Sequence, residues 1–155
     1  MMKDKKLWAA RIVMTVLSVA VVAFIFFRSM QNADTSEQES GTFVNLINRL
    51  LCSLRIDYVV SDHMIRKTAH FTEYTVLGVF LCVTMYLYLH RRVSALLAAL
   101  GAGIVVAVCD ELIQLSSAGR SCQLSDVLLD SSGVLCGALI VFGVIRLITH
   151  RKKAA

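Results

Sequence analysis

Four stretches of this chain, about residues 8–28, 69–89, 93–109 and 127–148, are apolar for long enough to cross a bilayer, which takes roughly 20 residues as a helix. Inside lipid no water satisfies a backbone N–H or C=O, so a spanning segment must close its own hydrogen bonds, and long unbroken apolar runs do so as helices. The chain is 57% hydrophobic and only 17% charged, against roughly 45–50% apolar and about 25% charged in a soluble domain. A water-soluble fold is excluded on that balance. With no proline in the sequence, no proline kink is expected in any span. The expected architecture is all-α: a single membrane domain over residues 1–155, built as a four-transmembrane-helix bundle.

The net charge of +5 does not read as a nucleic-acid footprint, because the basic residues are not gathered on one patch. Lys3, Lys5, Lys6 and Arg11 precede or enter the first span, Arg91 and Arg92 fill the turn between the second and third, and Arg146, Arg151, Lys152 and Lys153 follow the fourth. If four spans alternate, all of these fall on one side, which is the positive-inside pattern. Both termini are then expected in the cytoplasm. The opening run MMKDKKLWAARIVMTVLSVAVVAFIFF starts like a signal peptide, but its apolar part is too long and no small-x-small cleavage site follows. It reads as an uncleaved anchor.

Between the first two spans, RSMQNADTSEQES has the polar composition of an exposed loop. After it, Phe43, Leu46, Ile47, Leu50, Leu51 and Leu54 recur at helical spacing, with Asn45, Asn48, Arg49 and Ser53 opposite. An amphipathic helix over about 42–54 follows, too short and too polar to span. It is expected either at the membrane interface or packed on other parts of the protein. In the third span Ala95, Ala99, Gly103 and Ala107 form a small-residue stripe of the kind that lets helices approach closely in lipid. Cys52, Cys82, Cys109, Cys122 and Cys136 make no CxxC pair and are assigned to packing.

The ionisable residues of the apolar half are concentrated where spans begin or end. At 100° per residue, Arg66, Lys67, His70, Glu73 and Tyr74 share about one third of a helix circumference. Asp110, Glu111, Gln114 and Ser117 share a similar arc at the end of the third span. After a turn near Gly119, Asp126 stands as a cap or first-turn acid of the fourth span. Asp130 lies one turn deeper, with Gly133 and Gly137 below it on the same stripe, where they are expected to leave room for an acyl or prenyl chain. All three groups fall on the extracytoplasmic side of the expected topology. Acids in a bilayer cost about 2.5–3.5 kcal/mol each on insertion scales and are normally paired or line a watery cavity. Lys67, His70 and Arg120 are the available partners, and their pairing alone would make a purely structural ion network.

The stretches KTAHFTEY at 67–74, DELIQ at 110–114, and Gly119-Arg120 followed by Asp126, Asp130 and Gly133 resemble the signature of VanZ-like membrane proteins, over roughly residues 7 to 148. That resemblance implies a small multi-pass protein of the bacterial cell membrane, linked to the envelope and to glycopeptide (teicoplanin) resistance. It implies no settled chemistry.

Two functions fit the cluster. As an enzyme on a lipid-linked or envelope substrate, His70 would act as acid or base oriented by Glu73 or Asp110, and Glu111 would be a second acid/base. Lys67, Tyr74, Gln114, Arg120, Asp126 and Asp130 would bind ligand, the two cations holding a phosphate or carboxylate. As a binding or masking module, the same residues would hold membrane lipid, a lipid-linked precursor or a glycopeptide without turnover, on a network that is largely structural. Ion translocation ranks below both, because the acids within the later spans lie near one face and none at mid-bilayer. No cofactor is expected. His70, Glu73, Asp110 and Glu111 could supply an N/O metal set, but Lys67 and Arg120 already bring positive charge, so no metal is expected either.

Overall fold

The computed structural model describes residues 2–31, 33–116 and 123–154; of residues 2–4, 33–40 and 152–154 only the backbone is described. Among the described residues there are five helices and no strand: α1 (Met2–Ser29), α2 (Ala33–Ser53), α3 (Asp62–Leu89), α4 (Arg92–Gln114) and α5 (Leu124–Ala154). Four of them, all but α2, are long and apolar enough to cross a membrane, so the chain is a multi-pass helical membrane protein. Large apolar side chains such as Trp8, Val16, Phe24, Leu97, Val105, Leu128, Ile140 and Val144 face outward, which is the surface lipid requires.

The helices outrun the apolar windows. α3 has 28 residues, about 42 Å at 1.5 Å per residue, against a hydrocarbon thickness of roughly 30 Å. The excess length is taken up by tilt or by turns that extend beyond the hydrocarbon. Ser61 caps it by accepting from the Met64 backbone N–H at 3.4 Å, and Asp62 sits in the first turn, where a negative charge suits the helix dipole. At the other end His90 adopts a left-handed conformation with φ 56°, reversing the chain into α4 at Arg91.

α3 is the hub. It packs most extensively on α5, then on α4 and α1, and among the described residues it is the only helix that α2 touches. The α3–α5 seam is close because glycines line it. A Cβ on Gly133 would stand 2.7 Å from the Phe71 carbonyl oxygen; one on Gly137 would run into the backbone of Thr75 and Val79, and one on Gly78 into the backbone of Val134. The space below Asp130 is thus filled by α3 and holds no acyl or prenyl chain. The expectation of a lipid slot at Gly133 and Gly137 fails because the small residues admit a helix instead. The stripe Ala95, Ala99, Gly103 and Ala107 is buried, as its spacing implies, and Gly103 lies under the Val134 side chain.

The loop expected at 28–40 is also corrected: the backbone is helical from Ala33. The polar residues read as a loop include Glu37, Gln38 and Glu39, which are good helix formers. Further along α2, Phe43, Leu46 and Leu50 are exposed, as is Leu54 just past its end, while Ile47 and Leu51 are half-buried. Asn48 fastens the helix to the following loop, its Nδ2 donating to the Val60 carbonyl at 3.0 Å and its Oδ1 accepting the Val60 N–H at 2.9 Å.

The spans alternate in direction. Arg11 of α1 donates to the Leu87 carbonyl at 3.0 Å and lies over the Tyr88 ring, and Arg92 of α4 reaches Thr149 of α5. The basic residues of the α1 start, the α3–α4 turn and the α5 end are therefore gathered at one end of the bundle. The acids of α3, α4 and α5 gather at the other.

Candidate functional site

At that other end, α3 and α5 begin and α1 and α4 finish. Asp110 is fully buried, Glu111 and Asp130 are 2% and 1% exposed, and Gln114 and Tyr74 are buried with them. Three carboxyl groups so enclosed are costly unless partnered, and their partners differ.

Asp110 is held from two helices. Ser29 of α1 donates its hydroxyl to Oδ1 at 2.5 Å, and Gln114, one turn along α4, donates Nε2–H to Oδ2 at 3.1 Å. Glu111 reaches across to α5, where Oε2 accepts the Gln123 backbone N–H at 3.1 Å, just before the helix starts. A carboxylate there satisfies an end-of-helix donor and suits the dipole. Asp126, in the first turn of α5, pairs with Lys67 at 3.1 Å, each side chain about a third exposed. That pair lies at the rim, where such bridges contribute about 0–1 kcal/mol.

Asp130 is different. Neither of its carboxylate oxygens has a hydrogen-bond partner among the described residues, and the same is true of the buried Tyr74 hydroxyl. Tyr74 feels Asp110 and Asp130 as charged neighbours, but Asp110 does not meet its hydroxyl in a well-formed hydrogen bond. Glu73 faces Arg28 of α1 and Asp110. A cavity of about 30 Å³ is bounded by Lys67, His70, Glu111, Gln114, Asp126, Leu129 and Asp130. It accommodates a water or an ion and is far smaller than a head group. Beside it, His70, Asp110 and Asp130 each bring one donor atom into a set whose members all lie within 4.8 Å of one another.

The structure thus brings Lys67, His70, Glu73, Tyr74, Asp110, Glu111, Gln114, Asp126 and Asp130 to one end of the bundle. Arg120, Ser117, Gly119 and Cys122 lie outside the described residues. Lys67, one of the cations expected to neutralise Asp110, Glu111, Asp126 or Asp130, pairs with Asp126, at the rim. The sequence reading found α1 as a span but gave it no part in the site. Ser29 is fully buried on Asp110, Arg28 is a charged neighbour of Glu73, and the buried Oε1 of Gln31, just past the helix end, has no hydrogen-bond partner among the described residues. A signal was present: Ser18, Val22, Ile25 and Ser29 recur at i, i+4, i+7 and i+11, a stripe with a small hydroxyl at each end. Ser18 meets Thr84 of α3 at 3.0 Å.

These features define a class: a four-span helical membrane protein with a nest of carboxyl groups and a histidine where four helix ends meet. The chain belongs to the VanZ/LLP1 family, whose model matches residues 14–147. No curated protein and no solved structure matches it.

Proposed function

We propose that the chain is a bacterial cell-membrane protein, with both termini in the cytoplasm, that binds an anionic head group of a lipid-linked or cell-envelope ligand at the extracytoplasmic ends of its spans. The observation that carries this reading is the partly open polar cavity lined by the rim pair Lys67–Asp126, backed by Asp130, whose carboxylate oxygens have no hydrogen-bond partner among the described residues. Lys67 is the rim cation, Arg120 lies on the short segment leading into α5, and both charge and bidentate geometry make Arg the stronger grip on phosphate or carboxylate. The cavity is too small for a head group, so the ligand sits over it and presents only its leading atoms. Kinship with VanZ supports a role at the envelope of the kind linked to teicoplanin.

Turnover with His70 as acid or base would need only water as the nucleophile, so the same residues serve binding with or without it. The alternative, a largely structural network, is favoured by one observation: Glu111 bridges α4 to the start of α5. The test is titration of the purified chain in detergent with a long-chain lipid phosphate and with its neutral alcohol. The reading expects the phosphate to bind at least about tenfold more tightly, equivalent to roughly 1.4 kcal/mol, with the preference lost in Arg120→Ala. Equal affinities would remove the anion site.

A further inference from the structure

We propose that His70, Asp110 and Asp130 together hold a divalent metal ion. The sequence alone argued against a metal, on the ground that lysine and arginine already supplied the positive charge; the geometry of α5 reverses that. Asp130 is 1% exposed and both of its oxygens lack a hydrogen-bond partner among the described residues. Such a group is costly to keep in a bilayer protein. The nearest lysine on α3 pairs with Asp126 instead.

What does lie at hand is a set of donors. One ring nitrogen of His70 and one carboxylate oxygen each of Asp110 and Asp130 fall within 4.8 Å of one another, contributed by three different helices. Ligand bonds of about 2.0–2.2 Å place two donors no more than about 4.4 Å apart across one ion. A small rotation of the half-buried His70 therefore brings the set to bonding distance. Asp110 is already oriented by outer partners, Ser29 on one oxygen and Gln114 on the other, the arrangement that fixes a ligating carboxylate. The α3–α5 spacing at the site is set one turn deeper by Gly133 against Phe71.

One imidazole and two carboxylates suit a first-row divalent ion of the manganese, iron or zinc kind and not a soft, thiolate-seeking one. Three protein ligands leave coordination positions open toward the cavity of about 30 Å³, where water would complete the shell. The proposal goes beyond the head-group reading and does not rest on it, and its test uses the metal alone.

The full chain, purified in detergent and stripped with a chelator, would be titrated with Mn²⁺ by the loss of the aqueous Mn²⁺ paramagnetic resonance signal, and with Zn²⁺ by displacement of bound Mn²⁺. The expected result is one ion per chain, with affinity lowered about tenfold or more by His70→Gln and by Asp130→Asn, and unchanged by Asp57→Asn in the exposed loop. Ser29→Ala, which removes only an orienting partner, should cost about tenfold, within the range for such residues. Circular dichroism identifies any variant that does not fold; should Asp130→Asn be one, His70→Gln decides alone. Absence of saturable binding of either ion to the wild-type chain overturns the proposal, and so does a loss of less than about tenfold in the folded variants.

Discussion

Alanine in place of Gly137 should be among the most damaging single-methyl changes in this protein. The added Cβ would meet the carbonyl oxygen of Thr75 and the amide nitrogen of Val79. Both are backbone atoms of a helix and neither can rotate away. The milder case, Gly133→Ala, sets the scale: its Cβ would lie 2.7 Å from the Phe71 carbonyl oxygen where ordinary contact begins at 3.4 Å, so α3 must retreat by about 0.7 Å. Overpacking of a tight interface costs about 1–3 kcal/mol, offset by up to about 1 kcal/mol of helix propensity gained on leaving glycine. Gly133→Ala should then destabilise by up to about 2 kcal/mol and Gly137→Ala by about 2 kcal/mol or more. At Gly101 and Gly143 an added methyl group would find nothing within 4 Å, so alanine there should be neutral or slightly stabilising. The assay is reversible unfolding in mixed micelles, followed by far-ultraviolet circular dichroism. If Gly137→Ala is as stable as Gly101→Ala, the glycine-lined α3–α5 seam is wrong, and with it the spacing that brings His70 to Asp130.

Two further outcomes are expected. Single cysteines at positions 57 and 119 should be labelled by a membrane-impermeant reagent in whole cells, and those at 91 and 153 only after the membrane is opened, in a background lacking the native cysteines; labelling at 91 in intact cells would invert the proposed orientation. Where expression of the wild-type chain lowers teicoplanin susceptibility, His70→Ala and Glu111→Ala should abolish that effect while membrane levels of the protein, read by immunoblot, stay normal; loss of phenotype that follows loss of protein would assign the network to structure.

Much of this arrangement was legible in the residues. Four apolar runs announce four spans because lipid gives backbone groups no alternative to a helix. The arcs of α3 and α4 follow from spacing alone, and so does the burial of Ala95, Ala99, Gly103 and Ala107. What could not be read was which faces meet. Gly133 and Gly137 look the same beside a lipid chain or beside another helix, and only the position of α3 distinguishes the two. Ser29 reads as the start of a loop because a polar composition does not reveal that Asp110 lies across from it. Lys67 is one helical turn from His70 and could have turned inward; Asp126, at the start of α5, holds it at the rim. The sharpest feature of the site, an acid whose two oxygens have no hydrogen-bond partner among the described residues, is a property of packing and has no signature in the sequence.

The central claim is that Asp130 is kept for what it binds and not for the stability of the bundle. The most direct measurement is the unfolding free energy of Asp130→Ala against wild type, in mixed micelles with chelator present so that no bound ion contributes. An acid buried without partners is a cost to the fold of about 1–3 kcal/mol, so the account predicts that Asp130→Ala is as stable as wild type or more stable. A structural ion network predicts the opposite, since removing one member of a buried pair costs about 3–5 kcal/mol, and a loss of that size would contradict the account.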